Sequence, residues 1–184
     1  MRGVPRILPL VLVLAGGLVP LGGATLERLT LDDLIAKSTA IVQGKVTSSY
    51  ASFHGPIIYT HYEVQVSEQL KGTSGPSLDL VVPGGTANNL RQIYSGAPQL
   101  NLGGEFVLFL WTGPSGLTQI MGLTQGLFRL SPGDSSGVVV TRTASTELML
   151  EAGTSRPIRD ETLVMSLNDL RARVAERLGG TAAP

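Results

Sequence analysis

The stretch Ile57–Leu70, IIYTHYEVQVSEQL, decides the fold. Tyr62, Val64 and Val66 alternate with His61, Glu63, Gln65 and Ser67. A period of two with one apolar side is the pattern of a half-buried β-strand. The preceding stretch Ile41–Phe53, IVQGKVTSSYASF, alternates the same way: Val42, Gly44 and Val46 against Gln43, Lys45 and Thr47. Between the two stand His54, Gly55 and Pro56, which punctuate a turn. The pair therefore predicts a long antiparallel hairpin.

Further strands follow at short spacing. After the turn KGTSGP (Lys71–Pro76), SLDLVV reads as a third strand that stops at Pro83, which has no N–H for a ladder. EFVLFLW (Glu105–Trp111) is apolar on both faces and predicts a strand covered on both sides. LTQIMGL, GLFRL and GVVVTRT read as three more short strands. Between Gly84 and Gly104 no period is evident. A plain loop of that length is unusual inside a domain, and such segments are often functional or contain a short element of their own.

Two helices frame the strands. In LTLDDLIAKSTA, Thr30 is positioned to cap a short helix with Asp33 three residues on, and Leu31, Leu34 and Ile35 form its apolar stripe. Near the C-terminus, Ser166 and Asp169 make a second capping box, followed by Leu167, Leu170, Val174 and Leu178 on one face, with Gly179 placed to end the helix. The expected span of this amphipathic helix is about residues 162–178, and the tail at 180–184 is expected to fray. Many short antiparallel strands with a long connection after the third predict a mainly β fold, a small Greek-key barrel of the OB type.

Composition bounds the function. The 184 residues are 42% hydrophobic, which suits one domain with a core. MRGVPR supplies Arg2 and Arg6, ILPLVLVLAGGLV an apolar run, and Gly22 and Ala24 the small residues of a cleavage site. This predicts a signal peptide over residues 1–24 and a single β-rich domain over 25–184. The rival, a membrane anchor, needs about 20 uninterrupted apolar residues. Pro9, Gly16, Gly17 and Pro20 interrupt the run. Removing it leaves 12 basic and 14 acidic residues, a net of −2. That balance gives no nucleic-acid footprint and no polybasic surface for anionic lipid. The chain contains no Cys, which excludes disulfides, a thiol nucleophile and thiolate zinc sites. The expected compartment is bacterial, secreted or periplasmic, with no stable membrane anchor after cleavage.

Signals for chemistry are few. The two histidines, His54 and His61, bracket the hairpin tip, and with Glu63 they supply the donor types of a metal site. The alternative is that both are polar hairpin residues without a ligand. No Gly-x-Ser-x-Gly elbow, His-Glu-x-x-His or phosphate-binding glycine loop occurs. SPGDSSG (Ser131–Gly137) has an extra serine relative to the serine-protease GDSGG motif. Asp32-Asp33 and Asp160-Glu161 stand at helix starts, where acids meet the helix dipole favourably. Trp111 ends an apolar strand and reads as core or rim. Asn88, Arg91 and Tyr94 fall in the segment without a period, and are residue types common in recognition loops. No motif calls for a cofactor.

A resemblance adds to this reading. Gly44, Thr60, Val64, Leu70-Lys71-Gly72, Pro83-Gly84-Gly85, Gly104 and Gln125-Gly126 match a pattern of secreted bacterial proteins. That pattern reads S-x-A-I-V-x-G-K-V … T-x-Y-x-V-x-V … L-K-G … P-G-G … G-x-x-F-V-L-F-L … G-x-x-Q-G. More remotely, the opening V-x-G-K-V … K-G resembles the netrin-module and TIMP-like OB fold. The likeness spans about Ser38 to Leu130. TIMP-like inhibitors chelate the protease zinc through an N-terminal cysteine, which this chain lacks. The resemblance implies an OB-like barrel and company with exported matrixin-type metalloproteases. The expectation is a non-enzymatic binding module whose partner is another exported protein, with Asn88, Arg91 and Tyr94 at the contact. The alternatives are a metal-dependent enzyme using His54 and His61, and a structural protein of the envelope.

Overall fold

The computed structural model describes residues 24–133 and 137–179. The signal-peptide reading at 1–23, the core of the GDSGG-like stretch at 134–136 and the tail at 180–184 lie outside the described residues. In chain order the elements are β1 (Thr25–Glu27), α1 (Leu31–Lys37), β2 (Ala40–His54), β3 (Ile57–Lys71), β4 (Ser77–Pro83), β5 (Gly85–Ala87), β6 (Leu90–Gln92) and β7 (Glu105–Thr112). Then follow β8 (Thr118–Ile120), β9 (Leu127–Pro132), β10 (Val138–Arg142), β11 (Leu148–Leu150), β12 (Pro157–Ile158), β13 (Leu163–Ser166) and α2 (Leu167–Gly179).

β2 and β3, each 15 residues long, form the expected hairpin, closed by the pair His54–Ile57. With β4 they make a meander, and the long connection after β4 returns β7 beside β2. The resulting order β7-β2-β3-β4 is that of a Greek key. The sheet does not close. It runs β13-β10-β9-β7-β2-β3-β4, with β8 beside β7, and among the described residues no ladder joins its two ends. The expected closed barrel is corrected here to an open, mainly antiparallel sheet. The reason is local: beyond β7 the chain adds β9, β10 and β13 outward. The short β8 meets β4 only through side chains, Ile120 and Gln119 lining a crevice with Val82 and Pro83. A small separate sheet joins β1 in parallel to β11, and β11 to β12.

β7 is the central strand and divides the core. Phe106, Leu108 and Leu110 pack with Val42, Val46, Tyr62, Val64, Leu80 and Val82 on the concave side of the meander. Val107 and Phe109 face the other way, onto α1 and α2, where Leu34, Ile35, Leu170 and Val174 meet Phe128 and Val140. Each of these fully buried side chains contributes about 1.5–3 kcal/mol.

Both caps form as the sequence predicts. Thr30 Oγ1 accepts from the Asp33 N–H at 3.1 Å, and Asp33 accepts from the Thr30 N–H at 3.0 Å. The Thr30 hydroxyl, which also donates to Asp33 Oδ2 at 2.6 Å, and then the Thr30 N–H hold the Asp33 carboxyl below its ordinary pKa. The other end of α1 is closed from β3. Lys71 Nζ donates to the carbonyls of Ile35 at 2.6 Å and Ala36 at 3.0 Å, a cation on the negative end of the helix. Burial pushes the Lys71 ammonium below the usual lysine pKa.

The C-terminal helix begins at Leu167, not near residue 162. Residues Leu163–Ser166 instead form β13, paired antiparallel to β10 from Arg142–Leu163 to Val139–Ser166. The unpaired edge of β10 outcompetes a helical turn that has no cap before Ser166. Ser166 Oγ accepts from the Asp169 N–H at 3.0 Å and starts the helix there.

Candidate functional site

The segment after Pro83 is built on the concave side of the β2–β3 hairpin. Gly84 and Gly85 take φ of 103° and 136°. A Cβ at Gly85 would stand 2.7 Å from Thr60 Oγ1 and 3.2 Å from Ala51 Cβ. Only glycine permits both the dihedral and the approach. The chain is then pinned by main-chain partners. The Gly84 N–H donates to the Ile58 carbonyl at 2.8 Å, and Thr60 Oγ1 donates to the Gly84 carbonyl at 2.8 Å. Gln92 clamps the return: its Oε1 accepts from the Ile58 N–H at 2.7 Å, and its Nε2 donates to the Pro56 carbonyl at 2.9 Å.

Between these anchors β5 and β6 form a small hairpin, paired Gly85–Gln92, Thr86–Arg91 and Ala87–Leu90. Its turn is Asn88-Asn89 with φ of 49° and 62°. Two consecutive residues with positive φ are the requirement of a type I′ turn, and Asn tolerates them. The connection without a period therefore holds a short element of its own at its start, and the Asn-Asn pair was the signal for it.

A cleft of about 280 Å³ opens beside this hairpin. Arg91 and Tyr94 line it with Ile93, Pro83, Thr60 and Pro98. Asn88 is exposed at the turn and is not part of the lining. Two of the three expected contact residues thus come together, and the third serves the backbone. Arg91 has no ion-pair partner among the described residues. Sequence reasoning missed the apolar residues beside them. Leu90 is 60% exposed and Ile93 76% exposed. That isoleucine, one residue past the Gln92 clamp, is the most exposed large apolar side chain among the described residues.

The histidines do not converge. His54 is exposed at the hairpin tip, its ring edge-on to Tyr59. His61 pairs with Tyr50 across the ladder, four residues up the strand from His54. Both of its ring nitrogens are engaged: Nδ1 lies 2.8 Å from Asp79 Oδ2 and Nε2 lies 2.9 Å from Ser52 Oγ. Glu63 instead accepts from Ser48 Oγ at 3.1 Å. Of the acid pairs, Asp32 bonds Arg173 and Asp160 bonds Arg142. Trp111 is at the rim, 42% exposed, its ring over Gly113.

The glycines of the bacterial pattern have packing reasons. A Cβ at Gly44 would stand 2.6 Å from Val64 Cγ1, where β2 bulges against β3. Gln125 is buried, accepting from the Leu29 N–H at 2.7 Å and donating to the Glu27 carbonyl at 3.0 Å, which ties β1 down. Among the described residues, no helix is long and apolar enough to cross a membrane. Comparison of the chain with protein-family models, with curated proteins and with solved structures finds no match.

Proposed function

We propose that the protein is an exported binding module that engages another exported protein through the β5–β6 hairpin and the cleft beside it. The observation that carries this is the exposure of Leu90 within a segment fixed at Gly84 and Gln92, and of Ile93 one residue past its second anchor. Exposed apolar side chains next to a free cation and an aromatic are the composition of a protein-contact centre. Pinning by Gly84, Thr60 and Gln92 supports binding with little ordering cost, because the loop is already held. Arg91 is the one Arg, Lys, Asp, Glu or His among the described residues lining the cleft, which favours a partner segment with apolar residues and an acidic side chain. The Greek-key order supports the OB-like reading as far as the meander and β7. The likeness to secreted bacterial proteins makes an exported metalloprotease the first partner to test. Without a cysteine, such binding would not chelate the protease zinc in the TIMP manner.

The test is capture from the native secretome with the mature chain and with Ile93→Ser, Tyr94→Ala and Arg91→Ala. A partner recovered by the parent and lost with Ile93→Ser supports the reading. Equal recovery by all three variants removes the hairpin from the contact.

A further inference from the structure

The convex face of the same meander carries three side chains in line, and their geometry depends on a bulge. In the first half of β2 the even-numbered residues Val42 and Val46 point inward. The register shifts between Val46 and Ser48, so Ser48 opposes Glu63 and Ser52 opposes Tyr59. From there the even-numbered residues share the outer face with His61 and Asp79. Ser52 on β2, His61 on β3 and Asp79 on β4 then join as Oγ···Nε2 at 2.9 Å and Nδ1···Oδ2 at 2.8 Å.

The polarity of this chain is forced. An ionised Asp79 carboxylate only accepts, so a neutral His61 must carry its proton on Nδ1. Nε2 is then an acceptor, and the Ser52 hydroxyl must donate to it. The Tyr50 ring stacks on the imidazole at 4.5 Å and 6°, which fixes the ring plane and leaves the His61 side chain 12% exposed. An oxyanion donor is also placed. Ile58 bonds Gly84 and Gln92 with its main chain, so the pair Phe53–Ile58 is a non-hydrogen-bonded one. The Phe53 N–H, next after Ser52, therefore points away from β3. Among the described residues, no strand pairs with β2 on that side beyond Lys45.

We propose that Ser52, His61 and Asp79 form a serine-nucleophile site for small carboxylic esters, independent of the binding surface on the concave side. Ser52 Oγ bonds to the ester carbonyl carbon as its proton passes to His61 Nε2. The Phe53 N–H faces the oxyanion. Collapse breaks the bond to the alkoxy oxygen, which takes the proton from Nε2 and leaves as the alcohol. Water then attacks the acyl-serine, gives its proton to Nε2, and the acid departs as that proton returns to Ser52. Ester and water become acid and alcohol. Ser52 is the nucleophile and His61 the base, while Asp79 is a positioning residue.

The experiment exposes the whole folded protein to p-nitrophenyl acetate and to a fluorophosphonate, and maps adducts by peptide mass. The expected result is an adduct on Ser52 that is absent in Ser52→Ala. His61→Gln should slow its formation by about 10²–10⁴-fold. Asp79→Asn, at a side chain 55% exposed, preserves the fold and should slow it roughly tenfold or more. A polar ladder without nucleophilic function would leave Ser52 unmodified, or modified at a rate unchanged by both variants. Either result overturns the proposal.

Discussion

The ion pair Arg142–Asp160 is the most demanding feature of the C-terminal half, and its removal gives a worked prediction. Both side chains are 1% exposed. Arg142 Nη2 donates to Asp160 Oδ1 at 2.6 Å and to the Glu161 carbonyl at 2.8 Å. Asp160 Oδ2 accepts from the Ser145 N–H at 2.8 Å, so the pair joins the end of β10 to the chain entering β13. Among the described residues, Arg142 Nε and Nη1 are buried without a partner. Asp160→Asn keeps the shape but leaves the guanidinium without its counter-charge, at a cost of about 3–5 kcal/mol. For a chain of this size each kcal/mol moves Tm by about 2–4 °C, so the melt should fall by about 6–20 °C. Arg142→Met removes the cation together with its two unpartnered N–H groups, and leaves Asp160 its Ser145 bond. It should cost less than Asp160→Asn. The double variant should be more stable than Asp160→Asn alone, because the stranded charge is gone. Thermal and urea melts followed by circular dichroism measure all three. Asp160→Asn within about 1 kcal/mol of the parent, or a double variant weaker than Asp160→Asn, would refute the reasoning.

Two further predictions concern the hairpin and the first helix. Gly85→Ala forces a Cβ against Thr60 at a positive φ, with strain of about 1–3 kcal/mol. The β5–β6 hairpin should lift from β3, seen as faster hydrogen exchange at Ile58 and Gly84 with global stability changed far less. Unchanged exchange at both would contradict the close approach. Thr30→Ala should cost about 1 kcal/mol and also change the acid limb of stability. The Asp33 carboxyl is lowered by its bonds to Thr30, so its contribution is present above the unfolded carboxylate value. It is lost as pH falls through the lower folded one. The difference between parent and Thr30→Ala should therefore shrink as pH falls through the carboxylate range, and a pH-independent gap would show that Asp33 adds nothing.

How much was legible depended on how local each signal was. The β2–β3 hairpin, β7 and the two caps rest on residues a few positions apart, and each appears in the structure. The bulge at Thr47 reverses which parity faces inward, and nothing in TSSYASF marks it. For that reason Ser52 and His61 could not be placed on one face from sequence, and Asp79 lies on a third strand. β11, β12 and β13 are two to four residues long, too short for a period to register. Closure of a barrel depends on whether β8 reaches β4 with its main chain, a property of distant loops. At the candidate contact, Arg91 and Tyr94 were legible as residue types on a connection. Exposure of Leu90 and Ile93 was not, because an apolar residue between polar ones reads as equally suited to burial.

Hydrogen exchange of the protein alone and with a captured partner tests whether the pinned hairpin after Pro83 is the surface other proteins meet. Added protection is expected over residues 86–94 and the cleft wall at 97–99, with the convex face of β2–β4 unchanged. Protection confined to the convex face, or to β10–β13, with residues 86–94 exchanging as before, would contradict it.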